Sequence, residues 1–199
     1  MKKVRIGIVG LGNMGTAHAR SIGNIPDAVL TAVCDCDETK TAAFTEKQAG
    51  AVFSDATAMF KSGLIDATIL AVPHYDHTTL AIAAFDHGIH VLTEKPIAVH
   101  KNDAQQMIEA HRRHPELKFA AMFQQRTHKA HQKIKQLIDS GELGEIMRVN
   151  WIITDWFRSQ RYYDAGGWRA TWKGEGGGVL LNQCPHQLDL FQWFFGMPV

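Results

Sequence analysis

The chain has 199 residues, of which 45% are hydrophobic, with 21 Lys plus Arg against 20 Asp plus Glu. That is enough length for one large domain or one and a half ordinary ones. A charge balance so close to zero offers no broad positive field for a nucleic-acid backbone or an anionic membrane. No run approaches the roughly 20 apolar residues of a spanning helix, and Met1-Lys2-Lys3-Val4-Arg5-Ile6 reads as a strand instead of a signal peptide. The composition therefore points to a soluble, cytoplasmic protein that works on small molecules.

In chain order, the β-branched run Val4 to Val9 predicts a strand that ends at Gly10. A helix over Ala17 to Ile22 and a strand over Val29 to Cys34, ending at Asp35, complete a βαβ unit. The alternation continues with a helix from Glu38 to Gln48, a strand Ala51 to Phe53, a helix Ala56 to Lys61 and a buried strand Ala67 to Val72. Thr78 to His87 predicts a helix closed by Gly88 in the left-handed conformation, followed by a strand over Ile89 to Leu92. Asn102 caps a helix to Arg113, and Phe119 to Phe123 is the sixth strand. Near-continuous apolar strands alternating with helices predict an α/β fold, a doubly wound parallel sheet covered on both faces.

After Phe123 the pattern changes. His131 to Ser140 is helical, Gly141 to Gly144 is a turn, Ile146 to Ile153 alternates like a longer strand, and Pro185 to Phe195 is a helix. These features predict a first domain over 1–123 and a second, partial α+β domain over 124–199, which looks incomplete because its strands lack partners before the chain ends at Val199.

Cys34, Cys36 and Cys184 are odd in number and form no CxxC, which argues against a disulfide framework and a structural zinc site. His74 and His77, His87 and His90, His111 and His114, and His128 and His131 are each spaced by three, but no carboxylate completes a HExxH, and no metal is expected.

Gly10-Leu11-Gly12-Asn13-Met14-Gly15 fits GxGxxG, with a strand before it, a helix after it and Asp35 twenty residues beyond Gly15 at the end of the second strand. Gly10 permits the tight turn, Gly12 lets the backbone approach a pyrophosphate at the positive end of the helix, and Gly15 lets helix and strand pack closely. Asp35 is placed to accept hydrogen bonds from ribose hydroxyls, and its charge would repel a 2′-phosphate, which favours NAD over NADP. Capping of the helix near Glu38 is the other reading of Asp35. Glu94-Lys95-Pro96 follows the fifth strand at the carboxyl edge of the sheet, where doubly wound folds bind ligands. A lysine held there can have its pKa lowered by an apolar or cationic neighbour, although Glu94 opposes that shift; a surface Lys-Pro turn fits the same spacing.

GLGNMG, Asp35, the Ala71-Val72-Pro73-His74-Tyr75-Asp76-His77 segment, HGIHVLTEKPIA and EGGGVLLNQCPHQLDL occur in the order and near the spacing of the Gfo/Idh/MocA family. The chain resembles that family over essentially its whole length. The resemblance implies an NAD-binding Rossmann domain followed by a domain on a large, mostly antiparallel sheet. It also implies a chain that is truncated relative to most members, and homo-oligomerisation through that sheet in the full-length protein. The activity implied is hydride transfer between the nicotinamide and a secondary alcohol of a sugar, cyclitol or sugar derivative. NAD-dependent glycosidase chemistry and a non-catalytic NAD- or sugar-sensing regulator are the alternatives.

By the same resemblance, Lys95 contacts substrate and nicotinamide, with Glu94 and Pro96 beside it. Gly10, Gly12, Asn13, Met14 and Gly15 cradle the cofactor, Pro73 and His77 lie along the nicotinamide ribose, and Gln124 lies near the nicotinamide. His186 is the implied acid/base. Four residues before it, where many sugar dehydrogenases of the family carry aspartate, stands Asn182, which can orient a hydroxyl but cannot hold charge. At the N-terminal end of its predicted helix, His186 is kept neutral by the helix dipole, as a general base requires. Tyr162, Tyr163, Gly166, Gly167, Trp168 and Arg169, extended by Trp156, Arg158 and Trp172, offer aromatic faces and a guanidinium suited to a polyhydroxylated ring or to a subunit contact. Tyr163, Trp168 and Arg169 are the substrate candidates.

Overall fold

The computed structural model describes residues 3–44, 50–154, 157–164 and 167–197. The apolar runs form strands β1 (Val4–Val9), β2 (Ala28–Cys34), β3 (Ala51–Phe53), β4 (Ala67–Leu70), β5 (His90–Thr93) and β6 (Phe119–Ala121). They make one six-stranded sheet in the order β3-β2-β1-β4-β5-β6, and every ladder is parallel. Parallel neighbours need crossovers, and the helices α1 (Asn13–Ile22), α2 (Glu38–Thr41), α3 (Ala56–Lys61), α4 (Asp76–Asp86) and α5 (Lys101–Arg112) supply them. The strand order reverses between β1 and β4, the switch point where a crevice opens beyond the carboxyl ends of the strands.

The strands β1, β2, β4 and β5 alternate their side chains between two cores. Ile8, Val33 and Ile69 pack on one face with Leu11 and Ile22, whereas Val9, Ala32, Leu70 and Val91 pack on the other with Met59, Phe85 and Met107. Phe85 is wholly buried on α4, a burial that contributes about 2 to 3 kcal/mol.

Several boundaries differ from the sequence reading. The helix α1 starts at Asn13 and not at Ala17, because Gly12 takes the cap position in an extended conformation and the motif itself forms the first turn. α2 ends at Thr41, short of the predicted Gln48, which lies outside the described residues. Its cap is Asp37, whose side chain accepts the Thr39 N–H, so Asp35 is not that cap. α5 is entered through His100, and Asn102 sits inside its first turn instead of capping it. Gly88 is left-handed as expected, with φ +74°.

The chain divides into two compact units, Met1–Met122 and Phe123–Val199. In the second, a 3-10 helix (Gln124–Thr127) leads to α6 (Lys129–Asp139), α7 (Gln160–Asp164), α8 (Trp172–Glu175), α9 (Val179–Asn182) and α10 (Pro185–Phe195). Arg126 ties the 3-10 helix to α10 through a two-pronged bond to Asp189, at 2.8 and 2.5 Å. The strand expected over Ile146 to Ile153 does not form, and among the described residues this unit contains no strand and no antiparallel sheet. A strand exists only through its ladder, and no described segment pairs with this one; Met147 and Ile152 are left more than four-fifths exposed.

Candidate functional site

β1 runs into Gly10, whose φ of +91° excludes ordinary side chains and whose N–H donates to the Cys34 carbonyl at 2.8 Å. A Cβ on Gly10 would stand 2.4 Å from the Ala71 carbonyl oxygen, and one on Gly15 would stand 1.8 Å from the Gly10 oxygen. Both glycines are therefore required by the protein's own packing. Gly12 is not, because a Cβ there would meet no atom within 4 Å. The backbone at Gly12 is therefore open to close approach by a ligand. Gly12 caps α1 without a side-chain hydrogen bond, and Asn13 and Met14 beside it are exposed. The open space, the uncapped helix start and its positive dipole end suit a dinucleotide pyrophosphate.

Asp35 leaves the end of β2 buried and accepts two backbone N–H groups, Leu11 on Oδ2 at 2.7 Å and Asp37 on Oδ1 at 2.9 Å. It thus anchors the glycine loop to the second strand, and its remaining lone pairs retain the capacity to accept further donors. Lys40, more exposed, brings Nζ to 3.6 Å from Asp35 and from Asp37. Cys34, just before Asp35, is a buried thiol that desolvation pushes up to about 12, which keeps it inert.

Beyond β5, Glu94, Lys95 and Pro96 form a braced segment. Glu94 is buried; its Oε1 lies 2.7 Å from Nε2 of His18 on α1, and its Oε2 accepts the Lys95 N–H at 3.1 Å. Burial would raise the Glu94 pKa, but the His18 contact and the Lys95 N–H outweigh it and hold the carboxyl below its ordinary range. On the other side His77, fully buried on α4, places Nδ1 2.8 Å from the Pro96 carbonyl and Nε2 3.1 Å from the Val72 carbonyl. Pro73 is exposed in the loop between β4 and α4, and its carbonyl accepts the Asp76 N–H.

Burial pushes the His77 imidazole below its ordinary 6.5, against the pull of the Pro96 and Val72 carbonyls. The unfolded chain then takes up a proton on this ring at a higher pH than the fold does, so stability falls as pH drops through 6.5 toward the depressed folded value. The melting temperature should fall on acidification from about pH 7 to about pH 5, and His77→Asn should flatten that slope relative to the wild type. Identical slopes in a fluorimetric melting series would contradict the assignment.

In the second unit, Asn182 ends α9 and is buried, with Nδ2 donating to Oε1 of the buried Glu175. Arg169 lies 3.8 Å from the same carboxylate, stacks over Trp168 at 4.6 Å and donates to the Tyr162 hydroxyl at 2.7 Å. Arg158 also lies over the Tyr162 ring, 4.8 Å from its centroid. A cleft of about 390 Å³ is lined by Tyr163, Thr171, Trp172, Glu175, Asn182 and Gln183. Of the predicted residues, Asn182 and Arg169 thus meet at one carboxylate, Tyr163 lines the cleft with it, and Trp168 lies against Arg169. His186 is the second residue of α10, after Pro185, and meets the Phe123 ring edge-on at 6.2 Å. Gln124 is exposed at the start of the 3-10 helix. Trp156 and Gly166 lie outside the described residues.

Three residues escaped the sequence reading. His18 follows Gly15 by three on α1, the spacing that turns it inward beside the helix–strand contact; Lys40 follows Asp35 by five. Glu175 precedes the Gly176-Gly177-Gly178 run and supplies beside Asn182 the negative charge that an amide cannot carry. Among the described residues, no group of three or more His, Cys, Asp or Glu is placed to hold a metal ion, and no helix is long and apolar enough to cross a membrane.

Residues 4–138 match the family described as oxidoreductase family, NAD-binding Rossmann fold, and residues 131–199 match the GFO/IDH/MocA C-terminal domain. The chain is 26% identical to inositol 2-dehydrogenase of Rubrobacter xylanophilus over 97% of its own length and 52% of that protein's. The WlbA dehydrogenase of Bordetella pertussis, solved with NADH and UDP-GlcNAcA, superposes with a TM-score of 0.86 at 33% identity, covering 98% of this chain and 59% of that one. Scyllo-inositol dehydrogenase of Lactobacillus casei, solved with NAD(H) and scyllo-inositol, gives 0.81 at 28% identity, covering 98% and 57%. The chain thus spans about half the length of the curated relatives it matches. With its parallel six-stranded sheet, its glycine loop and both family matches, the chain belongs to the Gfo/Idh/MocA oxidoreductases and carries their NAD-binding Rossmann fold.

Proposed function

We propose that the protein oxidises a secondary alcohol of a cyclitol, sugar or sugar derivative with NAD. The observation that carries the reading is Gly12, a glycine that the protein's own packing does not need at the open start of α1. The names of the relatives, inositol 2-dehydrogenases and a sugar-nucleotide-bound dehydrogenase, support the substrate class. The main chain of Gly10, Gly12, Asn13, Met14 and Gly15 holds the pyrophosphate, and Asp35 accepts from the adenosine ribose with the lone pairs left beside its two amide bonds. Pro73, His77, Glu94 and Gln124 border the nicotinamide end. When bound, NAD supplies the hydride acceptor for a carbinol carbon.

The rest falls to side chains. Lys95, on the braced turn after β5, donates to the substrate oxygen and polarises it; His186 takes the hydroxyl proton, and its place in the first turn of α10 favours the neutral ring. Asn182 turns its Nδ2 to Glu175, which directs its amide oxygen toward an acceptor's role for a substrate hydroxyl. Tyr163, Trp168 and Arg169 supply the ring-facing wall. Self-association through the second domain belongs to the same reading, supported by exposed Met147, Ile152 and Phe157.

The test is NADH formation by the full-length protein offered NAD with cyclitols, hexoses and nucleotide sugars in turn. Reduction with at least one polyol, and a weaker response with NADP, is expected. Binding of NAD without reduction by any of them would overturn the proposal in favour of a sensing role.

A further inference from the structure

His18 is the group that none of the roles above uses. It lies on α1, one turn past Gly15, with only 14% of its side chain exposed, and its Nε2 meets Glu94 Oε1 at 2.7 Å across 76 residues of sequence. Glu94 is fixed at both ends of its carboxylate, by His18 on one oxygen and by the N–H of Lys95 on the other, while its own N–H donates to the Leu70 carbonyl at 2.9 Å. Glu94 is held ionised and a carboxylate only accepts, so the proton in the contact sits on Nε2 of the ring. Removing His18 would take the imidazole donor from one oxygen of a buried charge, a cost that a shift of the segment can relieve.

We infer that His18 is a positioning residue for Lys95: through Glu94 it fixes the backbone from which the lysine side chain projects, and it ties that backbone to the helix that begins at the glycine loop. This inference rests on the proposed dehydrogenase reading for its consequence in catalysis, but not for its geometry. His77 braces the same segment from α4 through Pro96, so the two imidazoles act on either side of Lys95.

The test reads Lys95 directly. The full-length protein without added NAD is acetylated with limiting acetic anhydride, and the labelling of Lys95 relative to the exposed Lys101 is followed by mass spectrometry. In His18→Ala, the Lys95 ratio should change by about threefold or more, because loss of the buried partner lets the segment shift. His18→Gln, whose amide N–H can still reach Glu94, should restore the wild-type ratio. With substrate, His18→Ala should lower kcat by about tenfold to a hundredfold while the NAD dissociation constant stays within about twofold. An unchanged Lys95 ratio in His18→Ala, or a changed ratio that His18→Gln fails to restore, would overturn the inference. If the ratio responds as expected but the wild type forms no NADH with any polyol, the positioning role stands and the dehydrogenase reading fails. Should His18→Ala not fold, His18→Phe, which fills the volume without a donor, takes its place with the same expected shift.

Discussion

Replacing Lys95 by alanine is expected to lower turnover by about a thousandfold or more, because a donor on the reacting oxygen contributes most where charge develops. The NAD dissociation constant should stay within about twofold, since the role proposed for the lysine is on the substrate oxygen and uniform cofactor binding lies elsewhere. The geometry supports this separation. Glu94 and Pro96 brace the segment through contacts of their own: Glu94 with His18 and the Lys95 N–H, Pro96 with His77. None of those three contacts uses an atom of the Lys95 side chain, so they should persist in the variant. Stopped assays of NADH formation, combined with titration of NAD by fluorescence, would check both halves. Undiminished turnover in Lys95→Ala would end the proposed role.

The three loop glycines should separate into two behaviours. Gly15→Ala places a methyl group 1.8 Å from the Gly10 oxygen, and no flexible side chain stands there to yield. The expected cost is about 4 kcal/mol or more, enough to unfold a protein of ordinary stability. Gly10→Ala adds a 2.4 Å approach to the Ala71 oxygen to the strain of φ +91° and should fare as badly. Gly12→Ala meets nothing within 4 Å. It should melt within about 1 °C of the wild type yet bind NAD at least about tenfold more weakly, since the methyl group would stand in the proposed path of the pyrophosphate. A Gly12→Ala protein that binds NAD normally would remove the principal support for the cofactor site, whatever its melting temperature.

Much of the first unit could be read from sequence because its signals are local. Val4–Val9 and Ala67–Leu70 are apolar runs bounded by glycine, proline or aspartate, and a strand buried on both faces leaves that mark without reference to its partners. GxGxxG and Asp35 lie within one βαβ unit, so spacing along the chain stood in for proximity in space. The contact of His18 with Glu94 has no such proxy. It depends on the helix that follows β1 meeting the end of β5 with β4 between those strands, a consequence of sheet order and not of spacing. The Ile146 to Ile153 segment failed for the complementary reason: alternation reports which face a strand would bury, but a ladder is made by a second segment. Glu175 was hidden by its neighbours, since a carboxylate before three glycines resembles loop polarity until Asn182 and Arg169 are seen around it.

The anchoring of Asp35 sets a rule for redesign. An engineer who wants the phosphorylated dinucleotide would first remove this negative charge and add a base nearby, and Lys40 already stands 3.6 Å away. Yet each Asp35 oxygen also terminates a backbone N–H, from Leu11 and from Asp37. Asparagine would turn an NH₂ group toward one of those donors, and serine has too short a reach to serve both. Switching the preference of this protein therefore requires rebuilding the turn after β2 as a unit, with new acceptors for both amides, because the residue proposed to select the ribose also holds the glycine loop in shape.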